Sequence, residues 1–223
     1  MQIQILPSLL AADVGHLEAA ARKAAEAGAD ALHIDVMDGI FVPNISLGPA
    51  VVEMARRAVS IPLSVHLMIL RPDRYLSVFA DAGADSLLIH IESPCDVPQT
   101  LERIRERGLR PGITLNPETR AEMVFPVLEL VDEVLCMTVH PGYGGQAFMA
   151  EVLPKMRAVR DQAEAAGRKN LEIMVDGGIN AATAAQCAAH GANLFVAGTS
   201  LYAAQDMGRA ISEMRSGAEA ARA

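Results

Sequence analysis

Apolar residues gather into eight short runs, near residues 3–7, 32–37, 63–68, 86–90, 111–115, 133–139, 171–175 and 194–197. Runs of this length, rich in Val, Ile and Leu, predict strands rather than helices. Between and after them lie amphipathic or Ala-rich stretches that predict helices, near 15–27, 48–58, 72–82, 97–107, 119–129, 150–166, 181–189 and 206–216. The junctions repeat. "AEAGADALHIDV", "ADAGADSLLIHI" and "AAHGANLFVAG" each end an Ala-rich helix on a glycine, make a short polar turn and enter an apolar run. Gly28, Gly83 and Gly191 take the place of a helix C-terminal glycine, where the left-handed backbone is favoured. Looser copies occur at Gly108 and Gly167. Strict strand–helix alternation predicts a parallel sheet with crossover helices. Eight units predict a (β/α)8 TIM barrel spanning residues 1–223 as one α/β domain, with an open doubly wound sheet as the structural competitor. The Ala-rich tail from Gly217 to Ala223 reads as a frayed end.

Polar residues interrupt the apolar runs at their C-terminal ends, where barrels of this kind build active sites. These are Ser8, His33, Asp35, His66, His90, Asn116, His140 and Asp176. In "ALHIDVMDG", residues 31–39, His33, Asp35 and Met37 share one strand face, and Leu32, Ile34 and Val36 share the other. An ionisable pair facing an interior is costly without compensation. His66 shares a face with Met68, and Asp176 with Met174. Phase alone leaves open which face is the lumen. With the polar set inward, two imidazoles and two carboxylates converge at one mouth. That donor set suits one divalent cation, and zinc, iron(II), manganese and cobalt are all admissible. Two readings compete: hydrogen-bonded core histidines, and the facial triad of non-haem iron oxygenases, which the α/β pattern disfavours. Asp38, just after the strand, is expected to order the loop.

The 138–148 stretch, "TVHPGYGGQAF", is too rich in Gly and Pro for a regular element. With "DGGIN" after the seventh run and "AGTS" after the eighth, it offers backbone N–H groups to an anion. Loops after strands seven and eight are the frequent phosphate site of such barrels, so a phosphorylated substrate is expected. Lys23 and Lys155 lie in helical stretches and Lys169 precedes a strand, which leaves no lysine placed for a Schiff base.

Composition narrows the setting. Hydrophobic residues make up 51% of the chain and formal net charge is −8, without a basic block. This argues against a nucleic-acid partner. No run has the length of a membrane span. Cys95, Cys136 and Cys187 are too few and too scattered for a disulfide framework or zinc cluster. The N-terminal residues lack a signal-peptide pattern. A cytoplasmic enzyme is the expectation.

The segments "PSLLAAD", "HIDVMDGIFVPNISLGP", "VHLMI", "HPGYGGQAF", "VDGGIN" and "AGTSLY" run in order through nearly the whole chain. By these motifs it resembles the ribulose-phosphate 3-epimerases. The resemblance implies a metal-dependent isomerase of the pentose phosphate pathway, interconverting D-ribulose 5-phosphate and D-xylulose 5-phosphate on a (β/α)8 barrel. It implies one divalent cation per subunit on His33, Asp35, His66 and Asp176. Asp35 and Asp176 would also be the acid/base pair for C3, acting through an enediolate. It implies substrate contacts at Ser8, His66 and Asp176, and phosphate contacts at Gly142, Tyr143, Gly144, Gly145, Gly177, Gly178, Gly198 and Thr199. Met37, Met68 and Met137 would cap the reacting carbons, though by periodicity alone such methionines are core filler. It also implies a homo-oligomer. Ala11, His140, Tyr143 and Thr199 depart from the more usual family residues. Thr199 followed by Ser200 also resembles relatives acting on a hexulose 6-phosphate such as D-allulose 6-phosphate. A metal-dependent phosphosugar lyase and a non-catalytic phosphosugar binder are the other classes compatible with these residues.

Overall fold

Short β-rich runs flanked by helix-ending glycines extend and pair side by side. In the computed structural model, which describes residues 1–222, eight strands form: β1 Gln4–Pro7, β2 Leu32–Met37, β3 Leu63–Met68, β4 Ser86–His90, β5 Arg110–Leu115, β6 Glu133–Met137, β7 Glu172–Asp176 and β8 Leu194–Ala197. All pairings are parallel, in the order β1-β8-β7-β6-β5-β4-β3-β2. A parallel bridge between Ser8 and His33 brings the two ends of the sheet together. The result is a nearly closed (β/α)8 barrel. Its helices are α1 Leu17–Glu26, α2 Pro49–Ala58, α3 Leu76–Asp81, α4 Val97–Glu106, α5 Leu153–Ala165, α6 Ala181–Ala189, α7 Thr199–Tyr202 and α8 Met207–Arg222. Among the described residues, no helix is long and apolar enough to cross a membrane.

Two predicted elements differ. The expected helix over 119–129 is a pair of 3₁₀ segments, Ala121–Met123 and Phe125–Leu130. Pro126 explains the break, because it lacks the N–H of an α-helical bond and its ring crowds the carbonyl four residues back. The tail expected to fray instead continues α8 through Arg222, and Ala223 lies outside the described residues. Ala218 is fully buried, and the Arg222 guanidinium donates to the Met1 carbonyl at 2.9 Å. Small residues there permit close packing against α6 rather than signalling disorder.

The packing resolves the phase of the strands. Leu32, Ile34 and Val36 join the large core between barrel and helices. Ala31, on the opposite face, joins Leu6, Leu88, Leu135, Met174, Leu194 and Val196 in a separate cluster that fills the lumen. His33 and Asp35 share the phase of Ala31 and therefore point inward. Below them the lumen has a polar floor, where the Gln4 amide donates to Glu172 at 3.0 Å and Arg110 pairs with the same carboxylate. Glu133 is buried in the same region. Gly112 on β5 makes room for this layer, since a Cβ there would lie 2.7 Å from Leu88 Cγ and 2.9 Å from Glu133 Cγ.

The loop after β2 is held by Asp38, as expected. One carboxylate oxygen accepts the N–H groups of Ile40 and Phe41 at 2.9 and 2.8 Å, and the other accepts that of Leu70 at 2.7 Å. Burial opposes the charge, yet these N–H donors hold the carboxyl below its ordinary pKa. Overpacking the lumen gives a direct test of the layer arrangement. Gly112→Ala is expected to lower unfolding free energy by about 1–3 kcal/mol in urea titration. Unchanged stability would show that Leu88 and Glu133 do not depend on the missing side chain.

Candidate active site

Inward phase on β2 and β3 and the end of β7 bring His33, Asp35, His66 and Asp176 together. One ligand-type atom from each falls within 4.8 Å of all the others. His33 Nε2 lies 3.4 Å, and His66 Nδ1 3.1 Å, from the same oxygen of Asp35. The Ser8 hydroxyl donates to the other oxygen at 2.6 Å. His33, Asp35 and His66 are buried, while Asp176 sits half-buried at the mouth.

The electrostatics of the cluster favour a cation. Both ring nitrogens of His33 are buried without a hydrogen-bond partner, an expensive arrangement for polar atoms. Burial works against charging His33, but the carboxylates of Asp35 and Asp176 outweigh it and raise its pKa. Burial likewise opposes the charge of Asp35, and the flanking imidazoles of His33 and His66 overcome it, holding Asp35 below the carboxylate range. Asp176 is pushed up, first by burial and then by the Asp35 charge. His66 is pushed down to about 4, chiefly by burial, and is neutral near pH 7. Two neutral-capable imidazoles and two carboxylates around one point fit a divalent cation with nitrogen and oxygen ligands.

Above the cluster opens a cavity of about 340 Å³. Its lining includes Ser8, Asp35 and Asp176, the three methionines Met37, Met68 and Met137, and the predicted glycine loops: Gly142, Tyr143, Gly144, Gly145, Gly177, Gly178, Gly198 and Thr199. Glycine is required at two of these positions. Gly177 has φ +120° and a Cβ there would meet Val139 at 2.5 Å. Gly178 has φ +65° and a Cβ would meet the Phe148 backbone nitrogen at 2.7 Å. Only a residue without a side chain lets this backbone turn against its neighbours and face the cavity. The 141–146 loop is strapped across the mouth. Asn44 donates its amide to the Gly142 carbonyl, and the Tyr143 hydroxyl donates to the Pro43 carbonyl, each at 2.7 Å.

Some strand-end residues are elsewhere. His33 and His66 lie beneath the cavity rather than in its lining, so His66 reaches it only through the cluster. His140 is exposed and pairs with Glu118. Asn116 gives its backbone N–H to Glu92 at 2.9 Å. Lys155 Nζ donates to the carbonyls of Asn116 and Pro117, away from the cluster. Sequence reasoning placed His90 at a strand end but missed its partners. His90 Nε2 lies 2.9 Å from His66 Nε2, and its Nδ1 lies 3.1 Å from Glu92. The available signal was spacing, since His90 and Glu92 repeat the i, i+2 relation of His33 and Asp35.

The chain is also similar to known proteins over nearly its whole length. The family model described as "Ribulose-phosphate 3 epimerase family" matches residues 4–202. The ribulose-phosphate 3-epimerase of Bacillus subtilis is 47% identical over 213 residues, covering 96% of this chain and 98% of its own. That of Escherichia coli is 39% identical over 216 residues, covering 96% of each. Among solved structures, 3-hexulose-6-phosphate synthase from Salmonella typhimurium superposes with a TM-score of 0.73 at 16% identity, covering 98% of this chain and 100% of that one. This last likeness is one of fold alone.

The cluster makes a prediction about metal uptake. Metal-stripped protein titrated with Co(II) is expected to bind one ion per chain, and His33→Ala is expected to lose that tight uptake. Undiminished uptake by the variant would place the ion elsewhere.

Proposed function

The chain belongs to the ribulose-phosphate 3-epimerase family and is an isomerase, and on that premise we propose that it interconverts D-ribulose 5-phosphate and D-xylulose 5-phosphate with a divalent cation at the cluster. The observation that carries this reading is the convergence of two carboxyl groups, from the separate strands β2 and β7, at the floor of a glycine-walled cavity.

Epimerisation at C3 removes a proton from one face and returns one to the other. A single base serves both faces poorly, whereas two carboxyl groups, one ionised and one protonated, serve them in turn. Asp35 and Asp176 are assigned those roles. Ser8 fixes the carboxylate of Asp35 through its 2.6 Å hydrogen bond, leaving the second oxygen toward the imidazoles. His33, Asp35, His66 and Asp176 are the residues that would hold zinc, iron(II), manganese or cobalt, and such an ion supplies Lewis-acid stabilisation of the oxyanion charge that develops beside C3.

The glycine loops at 142–145, 177–178 and 198–199 are assigned the phosphate. Binding energy gained at that remote group orients the reacting carbon over the carboxyl pair. Met37, Met68 and Met137 are buried on the cavity wall. They exclude water from the intermediate and carry no exchangeable proton that would compete with the two aspartates.

Steady-state kinetics test the assignment. Asp35→Asn and Asp176→Asn are each expected to lower kcat by at least about 10²–10⁴-fold, the usual contribution of a general acid or base. Near-normal turnover in either variant would remove that residue from the pair. Measured on the same preparation, kcat/KM is expected to be higher for D-ribulose 5-phosphate than for D-allulose 6-phosphate, and the reverse order would reassign the substrate.

A further inference from the structure

A chain of side chains leads away from the cluster. His66 Nε2 and His90 Nε2 face each other at 2.9 Å, with the rings stacked at a centroid separation of 5.0 Å. His90 Nδ1 lies 3.1 Å from Glu92 Oε2. The other oxygen of Glu92 accepts the Asn116 backbone N–H at 2.9 Å and the Thr119 hydroxyl. Phe41 packs on His90 with ring centroids 4.7 Å apart. His66 and His90 are fully buried, so no solvent intervenes.

With both rings neutral, the donor inventory admits two proton arrangements, each leaving one nitrogen lone pair against a carboxylate, and a cation beside Asp35 would relieve only the first. In the first, the His90 nitrogen facing Glu92 donates to that carboxylate, which only accepts. Neutral His90 then presents a bare Nε2, which has to accept a proton from His66 Nε2–H. His66 is left with a bare Nδ1, lone pair toward Asp35 Oδ1 at 3.1 Å. Lone pair facing lone pair at that distance is repulsive unless a cation lies between them. The opposite arrangement, with His66 Nδ1–H donating to Asp35, leaves a bare His90 nitrogen against a carboxylate that already accepts two other donors.

We propose that Glu92 and His90 are positioning residues that fix the tautomer of His66, protonating Nε2 so that Nδ1 stands ready as a metal ligand. The inference rests on the cation site assigned above. Ligating histidines are commonly oriented through their second nitrogen, and loss of such a partner typically costs about 10–100-fold in metal affinity or activity. Here the partner is a second histidine, and the anchor is one residue further out.

The isostere Glu92→Gln separates this role from mere packing. It keeps size and shape, but the fixed Asn116 N–H demands the amide oxygen, which turns the NH₂ toward His90. His90 Nδ1 must then accept, and both histidines have to exchange tautomers. In the metal-free, ¹⁵N-histidine-labelled protein, multiple-bond ¹⁵N–¹H NMR is expected to show Nε2–H on His66 and Nδ1–H on His90. Glu92→Gln is expected to reverse both and to weaken Co(II) binding, measured by chelator competition, by about 10–100-fold without loss of fold. His90→Gln, a second variant that interrupts the chain one step nearer, is expected to weaken Co(II) binding comparably. A wild-type His66 protonated on Nδ1, or Co(II) affinity within twofold of wild type in both variants, would overturn the proposal. Wild-type protein with the expected tautomers but no Co(II) uptake would support the tautomer relay while removing the metal reading of the site.

Discussion

Everything in this molecule is arranged around a charge that must be buried. Asp35 and Asp176 place two carboxyl groups within 4.8 Å of each other and of two imidazoles, at the closed end of a cavity. Carboxylates so close repel, and burial amplifies the repulsion. The structure offers three local compensations: the Ser8 hydroxyl on Asp35, the imidazoles of His33 and His66, and the half-exposed position of Asp176. They are incomplete, because His33 keeps two buried nitrogens without hydrogen bonds. A divalent cation held there, as proposed above, would complete them, and the crowding of like charge would give that cation its affinity.

The barrel is what makes the crowding affordable. Alternation along each strand sends Leu32, Ile34 and Val36 to the helix layer and frees the opposite face for chemistry. The lumen beneath is filled by apolar side chains and a polar floor, so the cluster rests on a packed base. Gly112 admits that filling, and Gly177 and Gly178 admit a backbone turn beside the mouth. Asp38 ties the loop after β2 to Leu70 beyond β3, and Asn44 and Tyr143 bind the loops over the cavity to each other. Positioning therefore rests on rigid strands for the carboxyl groups and on cross-braced loops for the glycine-rich wall of the cavity.

Much of this was legible in the residues themselves. Apolar runs of strand length and the glycines at 28, 83 and 191 carried the element order, and all three glycines have positive φ. His33, Asp35, His66 and Asp176 stood out because ionisable residues in apolar runs are costly. The inward face was not legible, because strands of a parallel sheet are buried on both sides and carry no polar face to mark solvent. Pro126 lies inside the predicted helix over 119–129 and marks a break that helical periodicity alone does not show. The alanines of α8 were read for their composition, whereas packing against α6 decides their order. The His90–Glu92 relay depends on register: His66 pairs with Leu88, which places His90 one step up and across, a relation that spacing within one strand does not reveal.

The proposed two-base transfer at C3, with one of Asp35 and Asp176 removing a proton and the other delivering one, is tested most directly by turnover in D₂O. Two carboxyl groups open to solvent exchange between cycles should deliver one solvent deuterium to C3 of the product and none to other carbons. Epimerisation that proceeds with the original hydrogen fully retained at C3 would contradict two-base transfer and the role of the buried carboxyl pair.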